Sequence, residues 1–221
     1  MKVFNKIDEI KIYTGLKHFL LGAILTSTIL SIFFIFFSEK YFINNTSVFK
    51  QIKILLTCLS GAFVEEFLFT YLCFSFLKKS INLFSSIIIT SILFALLHLG
   101  NSNSTYISVI SHFLGSTIYI SAFIMTHNIF TSIGLHFGWN YVQIICSQPM
   151  SGTLREGAVS LTLPSNTIWF GNEYGIEGGI YSIILRFILI SILVVFYYYS
   201  KSNRSKNKSK IGLLGSSFNI L

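Results

Sequence analysis

The dominant pattern of the chain is a succession of apolar runs of roughly 20 residues, separated by polar or basic segments. An α-helix of that length is long enough to cross the hydrocarbon core of a bilayer. The pattern therefore predicts an all-α fold, a polytopic membrane helical bundle with about six transmembrane helices. The predicted spans are residues 16–37, 54–77, 81–98, 106–125, 129–146 and 179–199.

The polar segments show no internal repeat and no separate soluble domain, so residues 1–221 are interpreted as a single integral membrane domain. The first apolar run is too long for the core of a cleaved signal peptide and is interpreted as a signal anchor. Residues 147–178 form a connection too long to be a simple linker, which predicts that this loop contributes to function.

Composition and charge support the membrane interpretation. Hydrophobic residues make up 52% of the 221 residues and charged residues only 11%. The net charge of +8 comes from Lys and Arg at the chain ends and in short loops, a distribution that indicates positive-inside topology and contact with anionic membrane lipids. Nucleic-acid binding is not predicted, because that requires basic residues gathered on one folded face. The basic tail, about residues 200–221, is predicted to be cytoplasmic.

An acidic doublet, Glu65-Glu66, lies inside the second apolar run. An ionised carboxylate at the centre of a membrane helix costs roughly 2.5 to 3.5 kcal/mol on insertion scales. Two in succession therefore require partners, a water-filled cavity or a function. The three cysteines, in contrast, are isolated in apolar runs and are interpreted as small core residues.

Two later runs carry polar groups at helical spacing. Residues four apart share a helix face, which aligns Phe94 with His98 and His136 with Asn140. Each histidine can therefore point into the bundle beside a residue that defines its surroundings. Together with the glutamates, these residues form a candidate catalytic constellation.

Two glycines flank His136 at small-xxx-small spacing, Gly134 and Gly138. Small residues at this spacing allow another helix to approach closely. The pattern predicts a tight helix contact on that side of the fifth span.

Three segments of the sequence carry a distinctive combination of residues. They are Glu65-Glu66 followed by Phe69, then Ser91-Ile-Leu-Phe-Ala-Leu-Leu-His98-Leu-Gly-Asn101, and Gly134-Leu-His-Phe-Gly-Trp-Asn140-Tyr-Val-Gln143. These segments resemble the motifs of the CPBP family, the CAAX-processing and bacteriocin-processing intramembrane proteases, also called the Abi family. Residues 169–179 are similar to a Gly- and Glu-containing segment found after the third motif in many bacterial members. The resemblance covers roughly residues 55–180.

The resemblance implies an intramembrane endopeptidase, a hydrolase of the CAAX prenyl protease or bacteriocin-processing type, in which a glutamate activates water. Glu65 and His98 would handle the water, His136 and Asn140 the oxyanion, and Glu66 would have a supporting role. These residue types suit the chemistry, since hydrolysis needs a general base and oxyanion donors. The implied substrate is a peptide or a lipid-modified protein, and the implied location is a bacterial plasma membrane.

One position departs from the family pattern. The first motif usually reads Glu-Glu-x-x-x-Arg, and Thr70 occupies the arginine position here. A threonine can hydrogen-bond with Glu66 but cannot neutralise it. We hypothesise that Arg186, inside the last predicted span, pairs with Glu66 instead; the alternative is an arginine that extends toward a membrane interface.

The same atoms allow a metal site, with Glu65, His98 and His136 as ligands of a divalent ion such as zinc. Members of the resembled family have been described as metalloproteases. The chain lacks a His-Glu-x-x-His segment, however, and each histidine comes from a different helix. The preferred prediction is that no cofactor is required, with a divalent metal as the alternative.

Two other functions stay open. A non-catalytic bacteriocin self-immunity membrane protein could retain the family scaffold, and the threonine at position 70 favours it. A buried relay of glutamates and histidines could also serve an ion or proton carrier. The remaining histidines match no motif and are set aside; these are His18, His112 and His127.

Overall fold

The structure is a computed structural model that describes residues 2–164 and 168–217, with side chains described for residues 14–164 and 168–199. Helices dominate the described residues, and one short two-stranded sheet accompanies them. The side chains of the predicted cytoplasmic tail lie outside the described part. The elements are α1 (Lys2–Phe37), β1 (Lys40–Ile43), α2 (Val48–Glu65), α3 (Phe74–Ser80), α4 (Leu83–Leu97), α5 (Tyr106–Thr126), α6 (Ile129–Ile145), β2 (Val159–Thr162) and α7 (Ile180–Ser217).

The prediction of an all-helical membrane fold is confirmed. Four helical segments of the described chain are long and apolar enough to cross a membrane: Thr14–Phe37, Leu83–Gly100, Tyr106–Thr126 and Ile180–Tyr199. The two other predicted spans are also helical: one falls in α2 and the turns that follow it, and the other in α6, which has 17 residues.

Polar residues between the apolar runs define where four of the helices begin. Ser47, Asn82, Thr105 and Asn128 precede α2, α4, α5 and α6, and each side chain accepts a hydrogen bond from a backbone N–H of the first turn. Such N-caps satisfy donors that have no partner inside the helix. The polar segments between the apolar runs therefore also contain the residues that fix where these helices begin.

Helix α6 occupies the centre of the bundle formed by α1 to α6, and packs against α1, α2 and α5. Its contact with α1 is very close: a side chain at Gly134 would overlap the backbone of Phe19, and one at Gly138 would overlap that of Ala23. The predicted tight helix contact at these glycines is confirmed, and its partner is α1. A glycine of α1, Gly22, faces the backbone of Thr131 in the same way.

The glutamate doublet lies where α2 gives way to a π-helical segment, Glu66–Cys73, which continues into α3. A π-helical turn contains more residues than an α-helical turn and occurs frequently at functional sites. Buried side chains recur at every fourth position through α2 and this segment. A four-residue repeat drifts around an α-helix, and the wider turns from Glu66 to Cys73 offset part of that drift. The buried residues of the repeat are Ile54, Cys58, Ala62, Glu66, Thr70 and Phe74.

The long loop before α7 is anchored rather than free. Strand β2 of this loop pairs antiparallel with β1, so that Lys40 lies opposite Thr162 and Ile43 opposite Val159. The Asn44 side chain donates to the Gly157 carbonyl at 2.9 Å. This ribbon was not predicted, because four-residue strands carry little periodic signal next to helices of 20 residues.

The chain divides into two units, Met1–Arg186 and Phe187–Leu221. The first contains α1 to α6, the ribbon, the long loop and the first turns of α7. The second continues α7, with Ser191 Oγ donating to the Phe187 carbonyl at 2.9 Å. The interpretation of residues 1–221 as one domain stays a prediction.

Candidate active site

Most of the predicted site residues line one cavity of about 180 Å³ in the first unit, whereas Glu66 and Thr70 lie outside its lining. Glu65, His98, His136 and Asn140 line it, together with the predicted supporting residue Phe94. At about 30 Å³ per molecule, a cavity of this size has room for several waters. Residues from α2, α4 and α6 therefore converge on a space suited to a polar reaction.

Glu65 is the last residue of α2, and its side chain reaches the two histidines. Its Oε2 atom lies 3.8 Å from Nε2 of His98 and 3.8 Å from Nε2 of His136. These distances exceed a hydrogen bond, and the buried Oε2 has no hydrogen-bond partner among the described residues. A buried carboxylate oxygen without a partner is costly for stability, which makes Glu65 a candidate for a functional group.

His98 begins the 3₁₀ turn His98–Gly100 that follows α4. Its Nδ1 lies 2.8 Å from the carbonyl oxygen of Phe94. A carbonyl only accepts hydrogen bonds, so Nδ1 carries the proton and Nε2 is directed toward Glu65. The predicted alignment of Phe94 with His98 thus gives a backbone hydrogen bond that orients the ring.

His136 is oriented in a similar way by the second glutamate. Its Nδ1 lies 2.8 Å from Oε1 of Glu66, and the Thr70 hydroxyl donates to Glu66 Oε2 at 2.6 Å. Glu66 is buried, with 1% of its surface exposed, whereas the side chain of Glu65 is 30% exposed. The adjacent carboxylates therefore differ in role: Glu66 accepts two hydrogen bonds, while Glu65 faces the cavity.

The hypothesised pairing of Arg186 with Glu66 is wrong. Arg186 instead donates from Nε to Ser111 Oγ at 2.9 Å, and its Nη2 lies 3.5 Å from Oε1 of Glu177. The hydroxyl of Thr70 and the imidazole of His136 already satisfy Glu66, so this carboxylate does not require the guanidinium. Arg186 lines the same cavity.

A third carboxylate, Glu177, also lines the cavity. Its Oε1 accepts from Trp139 Nε1 at 3.0 Å, and its Oε2 accepts from both the backbone N–H and the hydroxyl of Ser151, at 3.0 and 2.7 Å. The Arg186 guanidinium also lies 4.5 Å from the Trp139 ring centre. We call Glu65, His98 and His136 the Glu65 side, and Glu177, Trp139, Ser151 and Arg186 the Glu177 side.

Two groups of the long loop have shifted pKa values. Burial opposes ionisation of Glu177, but the neighbouring charges of His112 and Arg186 and the Ser151 hydrogen bond outweigh it, and the pKa falls to about 2. Burial raises the pKa of Tyr174 to about 12. Glu177 is therefore an anion and Tyr174 a protonated phenol at neutral pH.

Several cavity residues were missed by sequence reasoning. His112, which was set aside, lines the cavity, and its Nε2 lies 2.8 Å from the Tyr174 hydroxyl. Tyr119 and Glu177 also line it. The sequence feature that could have pointed to His112 is a run of small and polar residues along one face of α5. This face buries Ser108, Ser111, Gly115 and Ser116 beside His112.

The donor atoms of Glu65, His98 and His136 lie somewhat farther apart than the ligands of a tetrahedral zinc ion. Two ligands of such an ion, each about 2.0 Å from the metal, lie roughly 3.3 Å apart. The separations between Glu65 Oε2 and the two imidazole nitrogens are larger, at 3.8 Å. Among the described residues, no group of three or more His, Cys, Asp or Glu side chains is arranged to hold a metal ion.

Fold and site together define a class: an all-helical membrane protein with a carboxylate, two imidazoles and an amide around a polar cavity. Comparison with known families gives a more specific result. Residues 47–142 match the family of Rce1-like, Type II CAAX prenyl endopeptidases. The match covers less than half of the chain, spans the motif residues from Glu65 to Asn140, and agrees with the resemblance of those motifs to the CAAX-processing family. No curated protein and no solved structure matches the chain.

Proposed function

We propose that the protein is an intramembrane endopeptidase that hydrolyses a peptide bond with a water molecule activated by Glu65. The observation that carries this proposal is the position of Glu65 Oε2, buried without a hydrogen-bond partner among the described residues and 3.8 Å from two imidazole nitrogens. The match to a protease family supports the reaction class.

In this mechanism Glu65 is the general base. A water molecule in the cavity donates one hydrogen bond to Oε2 of Glu65 and a second to Nε2 of His98, and only the proton shared with Glu65 is transferred as the water attacks. His98 can accept because its Nδ1 proton is directed to the Phe94 carbonyl. The two groups thus orient the water for attack on the carbonyl carbon, and Glu65 afterwards passes its proton to the departing amine.

The developing oxyanion is stabilised from α6. Asn140 offers amide N–H donors to the cavity, and His136, once protonated on Nε2, offers a second donor. The hydrogen bond from His136 Nδ1 to Glu66 favours the protonated imidazole and holds its orientation. Glu66 therefore acts through His136 and does not contact the substrate.

We further propose that the substrate is a membrane-associated peptide or a lipid-modified protein, cleaved in a bacterial plasma membrane. The four apolar helices and the family match support a membrane-bound protease. Interaction with membrane lipids follows from the same helices. No cofactor is required in this proposal, because the base and the oxyanion donors come from side chains.

The experiment is cleavage by the purified protein in lipid vesicles. Candidate substrates are peptides with a prenylated CAAX terminus and unmodified hydrophobic leader peptides. We expect wild type to cleave one class and Glu65→Ala to lose cleavage while inserting normally. Glu173→Ala is the matched control, because Glu173 is exposed and lies away from the cavity lining.

The metal alternative is tested in the same assay. Cleavage that persists after exhaustive treatment with a chelator supports the glutamate mechanism. Loss of cleavage on chelation, restored by adding zinc, contradicts it.

The immunity alternative predicts a different result from the Glu65 variant. Its supporting feature is Thr70, which forms a hydrogen bond where the family pattern has an arginine. If Glu65→Ala still protects cells that produce a bacteriocin, and wild type cleaves no peptide, the proposed hydrolase activity is wrong.

A further inference from the structure

Helix α5 places one aromatic ring against each histidine of the candidate site. The His112 ring stacks on the His98 ring, with centroids 3.9 Å apart and planes at 19°. The Tyr119 ring stacks on the His136 ring, with centroids 4.7 Å apart and planes at 8°. Residues seven apart lie on the same face of an α-helix, so one face of α5 covers both histidines.

Both rings are buried and held in place. His112 and Tyr119 each have only 3% of their surface exposed. His112 is also fixed at its far edge, because its Nε2 lies 2.8 Å from the hydroxyl of Tyr174 in the long loop. Burial leaves neither ring room to move away from the histidine that it covers.

A single hydrogen bond does not fix the plane of an imidazole. His98 is held through Nδ1 by the Phe94 carbonyl and His136 through Nδ1 by Glu66, and each ring can still rotate about that hydrogen bond. Rotation moves Nε2, the atom directed at Glu65. A parallel ring against the face of each histidine opposes this rotation.

We infer that His112 and Tyr119 are positioning residues, which hold the Nε2 atoms of His98 and His136 toward the cavity. The functional consequence rests on the proposed hydrolysis. Neither residue belongs to the three motifs. Aromatic contacts of this kind favour one orientation by roughly 2- to 10-fold, and each therefore contributes a factor of that size to turnover.

Paired variants separate the ring from the other contacts. His112→Asn retains a polar group toward Tyr174 but removes the ring, whereas His112→Phe retains a ring and removes the polar contact. Beside His136, Tyr119→Phe retains the ring and loses only the hydroxyl, whereas Tyr119→Leu loses both, so this pair isolates the effect of the ring. The control is His18→Asn, since His18 contacts Thr131 outside the cavity lining.

We expect His112→Asn and Tyr119→Leu to lower kcat by roughly 2- to 10-fold each with KM unchanged, since only the orientation of the histidines is altered. His112→Phe and Tyr119→Phe should restore kcat, and His18→Asn should match wild type. Equal losses in His112→Asn and His112→Phe would overturn the inference, because the polar edge and not the ring would then be important.

A second measurement does not depend on activity. In protein labelled with ¹⁵N-histidine, the ring nitrogen signals report the tautomer and hydrogen bonding of each histidine. His112→Asn should perturb the ring signals of His98 and leave those of His136 unchanged, and Tyr119→Leu should do the reverse. Unchanged signals in both variants would overturn the inference. If wild type cleaves no substrate, the proposed function fails, and these spectra still decide the positioning role.

Discussion

The Glu65 side and the Glu177 side of the cavity contain similar kinds of group, but their glutamates differ in hydrogen bonding and in exposure. Both have a glutamate at the centre, with nitrogen-containing side chains around it. Oε2 of Glu65 has no hydrogen-bond partner among the described residues, whereas both oxygens of Glu177 accept hydrogen bonds from neighbours on three segments of the chain. The Glu65 side chain is 30% exposed and that of Glu177 only 3%.

This difference indicates that the two glutamates have different roles, one in the reaction and one in the stability of the fold. When every oxygen of a buried carboxylate has a hydrogen-bond partner, removal of a partner destabilises the fold, because an unpaired buried charge costs several kcal/mol. A carboxylate with an unsatisfied atom in a polar cavity can take part in chemistry, since no internal bond must break first. We therefore expect substitutions on the Glu65 side to affect turnover, and those on the Glu177 side to affect stability.

After the loss of cleavage expected for Glu65→Ala, the largest effect is expected for His98→Ala. Removing a group that orients and polarises the attacking water should lower kcat by about 10²- to 10⁴-fold. The midpoint of thermal denaturation in detergent should change little. A variant that loses stability but keeps kcat would contradict the assignment of His98 to the reactive side.

The next-largest effect, a loss of stability, is expected when the buried ion pair between Arg186 and Glu177 is broken. Arg186→Gln or Glu177→Gln leaves one buried charge without its partner, and breaking such a pair costs about 3–5 kcal/mol. Thermal denaturation of each variant should show this loss. The double variant Glu177→Gln/Arg186→Gln should recover part of it, because no buried charge is left. Additive losses in the double variant would show that the two side chains do not interact.

Glu66→Gln should have a smaller effect on turnover. The amide still accepts a hydrogen bond from His136 Nδ1 but does not stabilise a protonated imidazole, and changes to groups that orient an active histidine typically cost about 10- to 100-fold. The measurement is kcat for the cleaved peptide, compared with Glu65→Gln, which should lose more. Equal losses would mean that the two glutamates do not have different roles.

The smallest effect is expected for Thr70→Val. This change removes the hydroxyl that donates to Glu66 and costs about 1 kcal/mol, or less than roughly 10-fold in kcat. Thr57→Val, in α2 and outside the cavity lining, is the control. A loss as large as that of His98→Ala would show that the hydroxyl has a direct part in the chemistry.

Part of the site could be predicted from the sequence because it depends on local spacing. An acidic doublet in an apolar run already indicates a functional group, and a histidine four residues from a phenylalanine or an asparagine can be placed on a helix face. The close contact at Gly134 and Gly138 follows from the same periodicity. Only its partner, α1, could not be inferred from spacing.

Other features could not be predicted because they join distant parts of the chain. Arg186 contacts a serine 75 residues away, and His112 contacts a tyrosine 62 residues away. No periodicity within one helix indicates which of several polar groups another buried group will meet. The π-helical segment after Glu65 was missed for a related reason: local propensity favours an α-helix, and the four-residue repeat of buried side chains becomes apparent only in the packed bundle.

The sequence by itself determined that this is a helical membrane protein and which glutamates, histidines and asparagine are chemically notable, because apolar length and residue type are local properties. Only the tertiary structure decided which carboxylate is satisfied and which is not. Glu65 and Glu66 are neighbours in sequence, yet one faces the cavity while the other accepts hydrogen bonds from Thr70 and His136. The partners of a buried polar group come from whatever elements pack against it, and the packing of helices far apart in the chain determines those partners.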